Sequence, residues 1–175
     1  MNVYLVLTAG ITCYFILPFL LWLIKNEKLK SILTHVFFGL YLCVLLAGVF
    51  GRVDISGGLV KVSFDFGGEW AAKTINWSVS NITTFDLLIN LFMVIPVGMY
   101  IAYLSRRKKM VISLLLFVAL GFATGLFIES FQFILPIQRS VQLSDVLLNM
   151  ASVVIGGLVG VLYLFMANKI IRDKR

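Results

Sequence analysis

Long stretches of this chain carry no charge, and that limits its folds more than any other property. No side chain is ionised from Val146 to Ala167, from Val3 to Ile24, or from Met110 to Ile128. Ile32–Phe50 has only His35, and Asp86–Leu104 has a single acid at its start. About 20 apolar residues suffice to cross the hydrocarbon of a bilayer as a helix. With 61% of its 175 residues hydrophobic and a mean hydropathy of +1.02, the chain has too little polar surface for a water-soluble domain. The expected fold is an all-α integral membrane protein, a bundle of five transmembrane helices. Residues 1–50 hold the first two helices, 51–85 an extracytoplasmic loop, 86–167 a three-helix core and 168–175 a basic tail.

The net charge of +7 does not point to nucleic acid, because the basic residues flank apolar runs in short clusters. Lys25, Lys28 and Lys30, the Arg106–Lys109 run, and Lys169, Arg172, Lys174 and Arg175 all fall on one side of the bundle. Only Arg52, Lys61, Lys73 and Arg139 fall on the other. The positive-inside rule then sets the N-terminus outside and the C-terminus in the cytoplasm. The basic clusters also suit contact with anionic lipid. The first apolar run is followed, not preceded, by its lysines, the opposite polarity to a cleaved signal peptide. Within the loop, Leu59–Phe66 alternates apolar and polar residues between glycine pairs, as a short strand does. Cys13 and Cys43 lie inside spans and read as packing residues, with no disulfide, metal or cofactor implied. His35 has no second ligand at helical spacing and reads as an interfacial side chain.

Polar residues at the edges of the last three spans carry the functional signal, since such groups are costly near lipid. The fourth span ends in Glu129 and the fifth begins at Asp145. Gly121, Gly125 and Glu129 recur every four residues; Asp145, Asn149, Ser152, Gly156 and Gly160 do nearly the same, so each set shares a helix face. Both contain the G-x-x-x-G pattern that lets helices approach closely in lipid, so the two glycine stripes are expected to meet. The third span repeats the fifth: DLLINLFMVIPVG and DVLLNMASVVIGG both place Asn four and Gly twelve residues after Asp. Asp86 and Asp145 also suit helix N-termini, with Thr83 and Ser144 as caps. Capping does not account for Asn90 and Asn149, one turn deeper. Arg139, the sole base in the turn, is placed to pair with Glu129 or Asp145, or to meet a phosphate or carboxylate.

Asn90, Pro96 and Gly98, then Glu129-x-x-Gln132, Arg139, Asp145-x-x-x-Asn149 and Gly156, resemble the VanZ-like family of bacterial membrane proteins over Asp86 to about Tyr163. The resemblance implies a multi-pass protein of the bacterial cytoplasmic membrane, whose namesake is associated with resistance to the glycopeptide teicoplanin. Gln142 and Ser144 stand where the family often has Asp, which argues against a divalent-metal role. The expected site comprises Asp86, Asn90, Glu129, Gln132, Arg139, Asp145 and Asn149. The first expectation is a binding protein that engages membrane lipid, a cell-wall precursor or a lipoglycopeptide at the outer leaflet, with no nucleic acid and no cofactor. The alternative is an intramembrane enzyme using paired carboxylates on such a precursor. No catalytic motif supports the enzyme, and five short spans without an inverted repeat argue against a transporter.

Overall fold

The structure is a computed structural model that describes residues 16–50, 52–56, 59–63, 75–76, 84–134 and 141–173. Five helices are present among the described residues: α1 over 16–22, α2 Glu27–Phe50, α3 Thr84–Leu104, α4 Met110–Ile134 and α5 Leu143–Asp173. Two small ribbons accompany them. Strands β1 (Arg52–Ser56) and β2 (Leu59–Ser63) pair antiparallel, which places the expected strand at Leu59 and gives it a partner. Strands β3 (Ile75–Asn76) and β4 (Val141–Gln142) pair in parallel, Ile75 opposite Val141 and Asn76 opposite Gln142.

Helix α5 is the axis of the bundle, packed along α3 on one side and α4 on the other. The α3–α5 contact is made backbone to backbone. A methyl group on Gly98 would overlap the carbonyl oxygen of Val153, and one on Gly156 would overlap that of Ile95. Ile95 meets Gly156 and Met99 meets Gly160, so equal steps along both helices keep them matched and the two run parallel. Gly121 lies against Met150 and Gly125 against Val146, so α4 runs antiparallel to α5. This corrects the expected glycine pairing. Gly121 and Gly125 do face α5, but Gly156 and Gly160 face α3, and it is Gly157 that gives room to the Phe117 ring of α4. Helix α5 therefore offers two adjacent small-residue faces, one to each neighbour.

The outside of this bundle is apolar and the inside is partly polar. Val111, Leu115 and Phe165 are each at least 65% exposed, whereas Glu129, Asn149 and Ser152 are buried. Soluble proteins rarely show so large an apolar surface. Small residues between helices with aliphatic residues outside are the arrangement lipid favours. Helices α4 and α5 are both long and apolar enough to cross a membrane.

Helix α2 joins this frame through few side chains. Asn26 caps it, its Oδ1 accepting from the Leu29 N–H at 3.0 Å, as an N-cap should. Tyr41 donates its hydroxyl to the Met93 carbonyl of α3, and Phe38 stacks on Tyr100 with ring centroids 3.8 Å apart. His35 is exposed, its Nδ1 lying 2.6 Å from the Ser31 carbonyl and its ring edge on Tyr100. Cys43 is exposed and does not pack inward as expected; Cys13 lies outside the described residues. Lys30, read as a topology charge, is buried and paired with Glu27 at 2.6 Å.

Candidate functional site

Glu129 does not end its helix. Helix α4 continues to Ile134, stopping short of Pro136, whose ring disfavours a helical residue before it. The carboxylate therefore projects from within the helix, on the face it shares with Gly121 and Gly125, and is only 4% exposed. Because Gly125 lies against Val146, one turn further along α4 brings Glu129 level with the start of α5. There its Oε2 accepts the backbone N–H of Gln142 at 3.1 Å. A helix N-terminus carries partial positive charge and unsatisfied N–H groups, so a carboxylate beside it is stabilised. Gln132, three residues along α4, is also buried.

Helix α5 begins at Leu143, so Gln142 is at the cap position and Asp145 is the third helical residue. Ser144, expected as the cap, is instead inside the first turn, buried, with its hydroxyl 3.3 Å from the Gln142 side-chain oxygen. Asp145 is half-buried in that turn, where an acid complements the helix dipole. One turn further in, Asn149 is 1% exposed and its Oδ1 has no hydrogen-bond partner among the described residues. Ser152, next on this face, returns its hydroxyl to the Leu148 carbonyl at 2.7 Å.

The repeated Asp–Asn pattern acquires a geometric meaning from the parallel packing of α3 and α5. Gly98 lies directly against Gly157. Asn90 and Asn149 each precede those glycines by eight residues, about 12 Å of helix rise, so they stand at one height. Asp86 and Asp145 stand together one turn further out, each the third residue of its helix. The side chains of Asp86 and Asn90, and the whole of Arg139, lie outside the described residues. The structure thus brings Glu129, Gln132, Asp145 and Asn149 to one end of the α4–α5 pair and sets Asp86 and Asn90 on α3 at the matching heights.

Sequence reasoning passed over Gln142 as a participant. Its backbone holds Glu129, its side chain meets Ser144, and its strand β4 pairs with β3. The loop preceding α3 and the turn preceding α5 are therefore tied together beside the buried carboxylate. Among the described residues no group of three or more His, Cys, Asp or Glu is placed to share a metal ion.

A family model described as VanZ/LLP1 matches residues 37–166. The chain belongs to the VanZ family. The match begins inside α2 and reaches almost to the end of α5's apolar portion, so family membership extends to a helix whose sequence was too generic to indicate it. It includes every residue of the candidate site. No curated protein and no solved structure matches the chain. In this VanZ-family protein the motif residues of α4 and α5 converge on the mouth of α5, and the glycines between them set how closely those helices meet.

Proposed function

We propose that this protein is a multi-pass protein of the bacterial cytoplasmic membrane that binds a lipid, cell-wall precursor or lipoglycopeptide at the outer leaflet. In that role it would confer low-level resistance of the teicoplanin type. The observation that carries the reading is the Asn149 Oδ1, buried below Glu129, Gln132 and Asp145 and without a hydrogen-bond partner among the described residues. A buried amide oxygen without a hydrogen bond costs about 1–3 kcal/mol, and such groups usually mark a site that something else completes. Between α2 and α4 lies an apolar groove of about 330 Å³, bounded by Phe38 and Leu42 of α2 and by Leu120, Phe127 and Ile128 of α4, the last next to Glu129 in sequence. A headgroup at the polar residues and an acyl or prenyl chain along this groove would use both surfaces. The charge bias of the sequence places this end on the extracytoplasmic side. The enzyme alternative has less to stand on, because one oxygen of Glu129 is committed to a backbone N–H.

The test is expression in a teicoplanin-susceptible bacterium, comparing the wild type with Asn149→Leu and Glu129→Gln at equal membrane abundance. Loss of protection in both variants, with the lipid and wall-precursor pools chemically unchanged by the wild-type protein, supports binding. A new covalent product in those pools would replace binding by catalysis. Full protection in both variants would remove this cluster from the function.

A further inference from the structure

The opposite end of the bundle contains a second built surface. The turn between α3 and α4 and the last turns of α5 enclose a pocket of about 210 Å³, walled by Ser105, Arg106, Lys108, Ser113 and Asn168. A second groove adjoins it along Phe165, Asn168, Lys169 and Arg172 of α5. Four cations line the two, and no lining residue is acidic. On its membrane side the first pocket is walled by Met110, Val161, Leu164 and Phe165. We propose that this surface holds one anionic phospholipid, with the phosphate among the cations and an acyl chain against the aliphatic wall.

Three features make it more than a charged face. Arg106 is held in place: Nη1 donates to the Tyr103 carbonyl at 2.8 Å and the guanidinium sits 4.1 Å above the Tyr103 ring. Its remaining N–H groups are thereby presented at little entropic cost, the property that suits arginine to phosphate. Ser105 and Ser113 are both more than nine-tenths buried. Their hydroxyls make only long contacts, 3.4 Å to the Ala102 carbonyl and 3.5 Å to that of Lys109, so a closer acceptor would draw them away. The first intrahelical bond of α4 comes from the Ser113 N–H, which leaves the N–H groups of Met110 to Ile112 as first-turn donors. A free phosphate would use the cations and hydroxyls but not the aliphatic wall. Phe165, 67% exposed beside that wall, is the kind of side chain an acyl chain covers.

The test is native mass spectrometry of the purified full chain in micelles doped with phosphatidylglycerol or with phosphatidylcholine. The wild type is expected to retain phosphatidylglycerol selectively. Removing three pocket cations together, Lys108→Gln, Lys169→Gln and Arg172→Gln, should weaken retention by about tenfold or more. The matched control Lys25→Gln, Lys28→Gln and Arg107→Gln removes equal charge from exposed positions outside the pocket and should retain the lipid. Equal loss in both triple variants would reduce the effect to diffuse charge and overturn the site. Displacement of the lipid by millimolar inorganic phosphate would overturn the lipid assignment in favour of a free anion. Melting in phosphatidylcholine micelles separates misfolding from lost binding, and Val161→Phe, which fills the wall without touching charge, should also expel the lipid. Retention by a folded Val161→Phe protein would overturn the placement of the acyl chain.

Discussion

The Glu129 carboxylate and the Gln142 backbone N–H meet at 3.1 Å, joining the last turns of one helix to the entrance of the next. The bond is partly buried and ends on a carboxylate oxygen, so it fixes the α4–α5 turn more firmly than a solvent-exposed pair would. Glu129→Gln preserves an acceptor and should lower stability by only about 1 kcal/mol. Glu129→Leu leaves the Gln142 N–H without its acceptor and should cost up to about 3 kcal/mol. Unfolding in detergent should rank the two in that order; equal stability would mean the N–H finds another partner.

Asn149 gives the opposite signature. Its Oδ1 has no partner among the described residues, so Asn149→Leu removes a desolvated polar group from between the helices. We expect unchanged or raised thermal stability together with lost protection against teicoplanin, the trade-off typical of functional sites. A large fall in stability would show the amide to be a structural member of the bundle.

The helix contacts predict a graded response to added methyl groups. Gly98→Ala and Gly156→Ala each force a Cβ into the backbone of the facing helix and should cost about 3 kcal/mol or more. Gly39→Ala on α2 meets nothing within 4 Å and should be neutral or stabilising by up to about 1 kcal/mol through helix propensity. Unfolding midpoints in a single detergent provide the comparison, and a costly Gly39→Ala would contradict the position of α2.

Tyr41→Phe tests how α2 is attached. It deletes the hydroxyl that donates to the Met93 carbonyl and should cost about 1 kcal/mol. Proteolysis or hydrogen exchange should report loosening confined to α2, with α4 and α5 unaffected.

Membrane orientation is testable by cysteine labelling in a background with Cys13 and Cys43 replaced. Ser105 looks suitable from its position between spans, but it is buried. Arg107 is exposed and is the better inner reporter, with Ser140 as the outer one. An impermeant maleimide applied to intact cells should label Ser140→Cys and spare Arg107→Cys. The reverse pattern would invert the topology and move the Glu129 cluster to the cytoplasmic side.

The helices and the polar positions were legible because both depend on local pattern. Uncharged runs mark α4 and α5, and spacings of four mark Gly121, Gly125 and Glu129 as one face. The partner of a face is not local information. Gly156 and Gly160 form a stripe whichever neighbour they meet, and Gly157, one residue off the stripe, proved to be the position that faces α4. The end of α4 was misplaced for a different reason. Loss of apolarity after Ile128 suggested a stop, while the stronger signal, Pro136, allowed the helix to run to Ile134. The pairing of Asn76 with Gln142 lies beyond sequence patterning, since two-residue strands far apart in the chain carry no periodicity.

The interlock of Gly98 with Gly156 also dictates what can move. Two backbones in direct contact have no side chains to reshuffle, so α3 cannot slide along α5 by a turn without first separating from it. The pair is therefore a rigid ruler, and the Asp–Asn rungs on its two edges keep their heights whatever is bound. Among the described helices α2 holds to this ruler through fewer contacts than α4 does, and it borders the apolar groove, so a change in the groove's width is expected at α2 before the spacing of α3 and α5 alters.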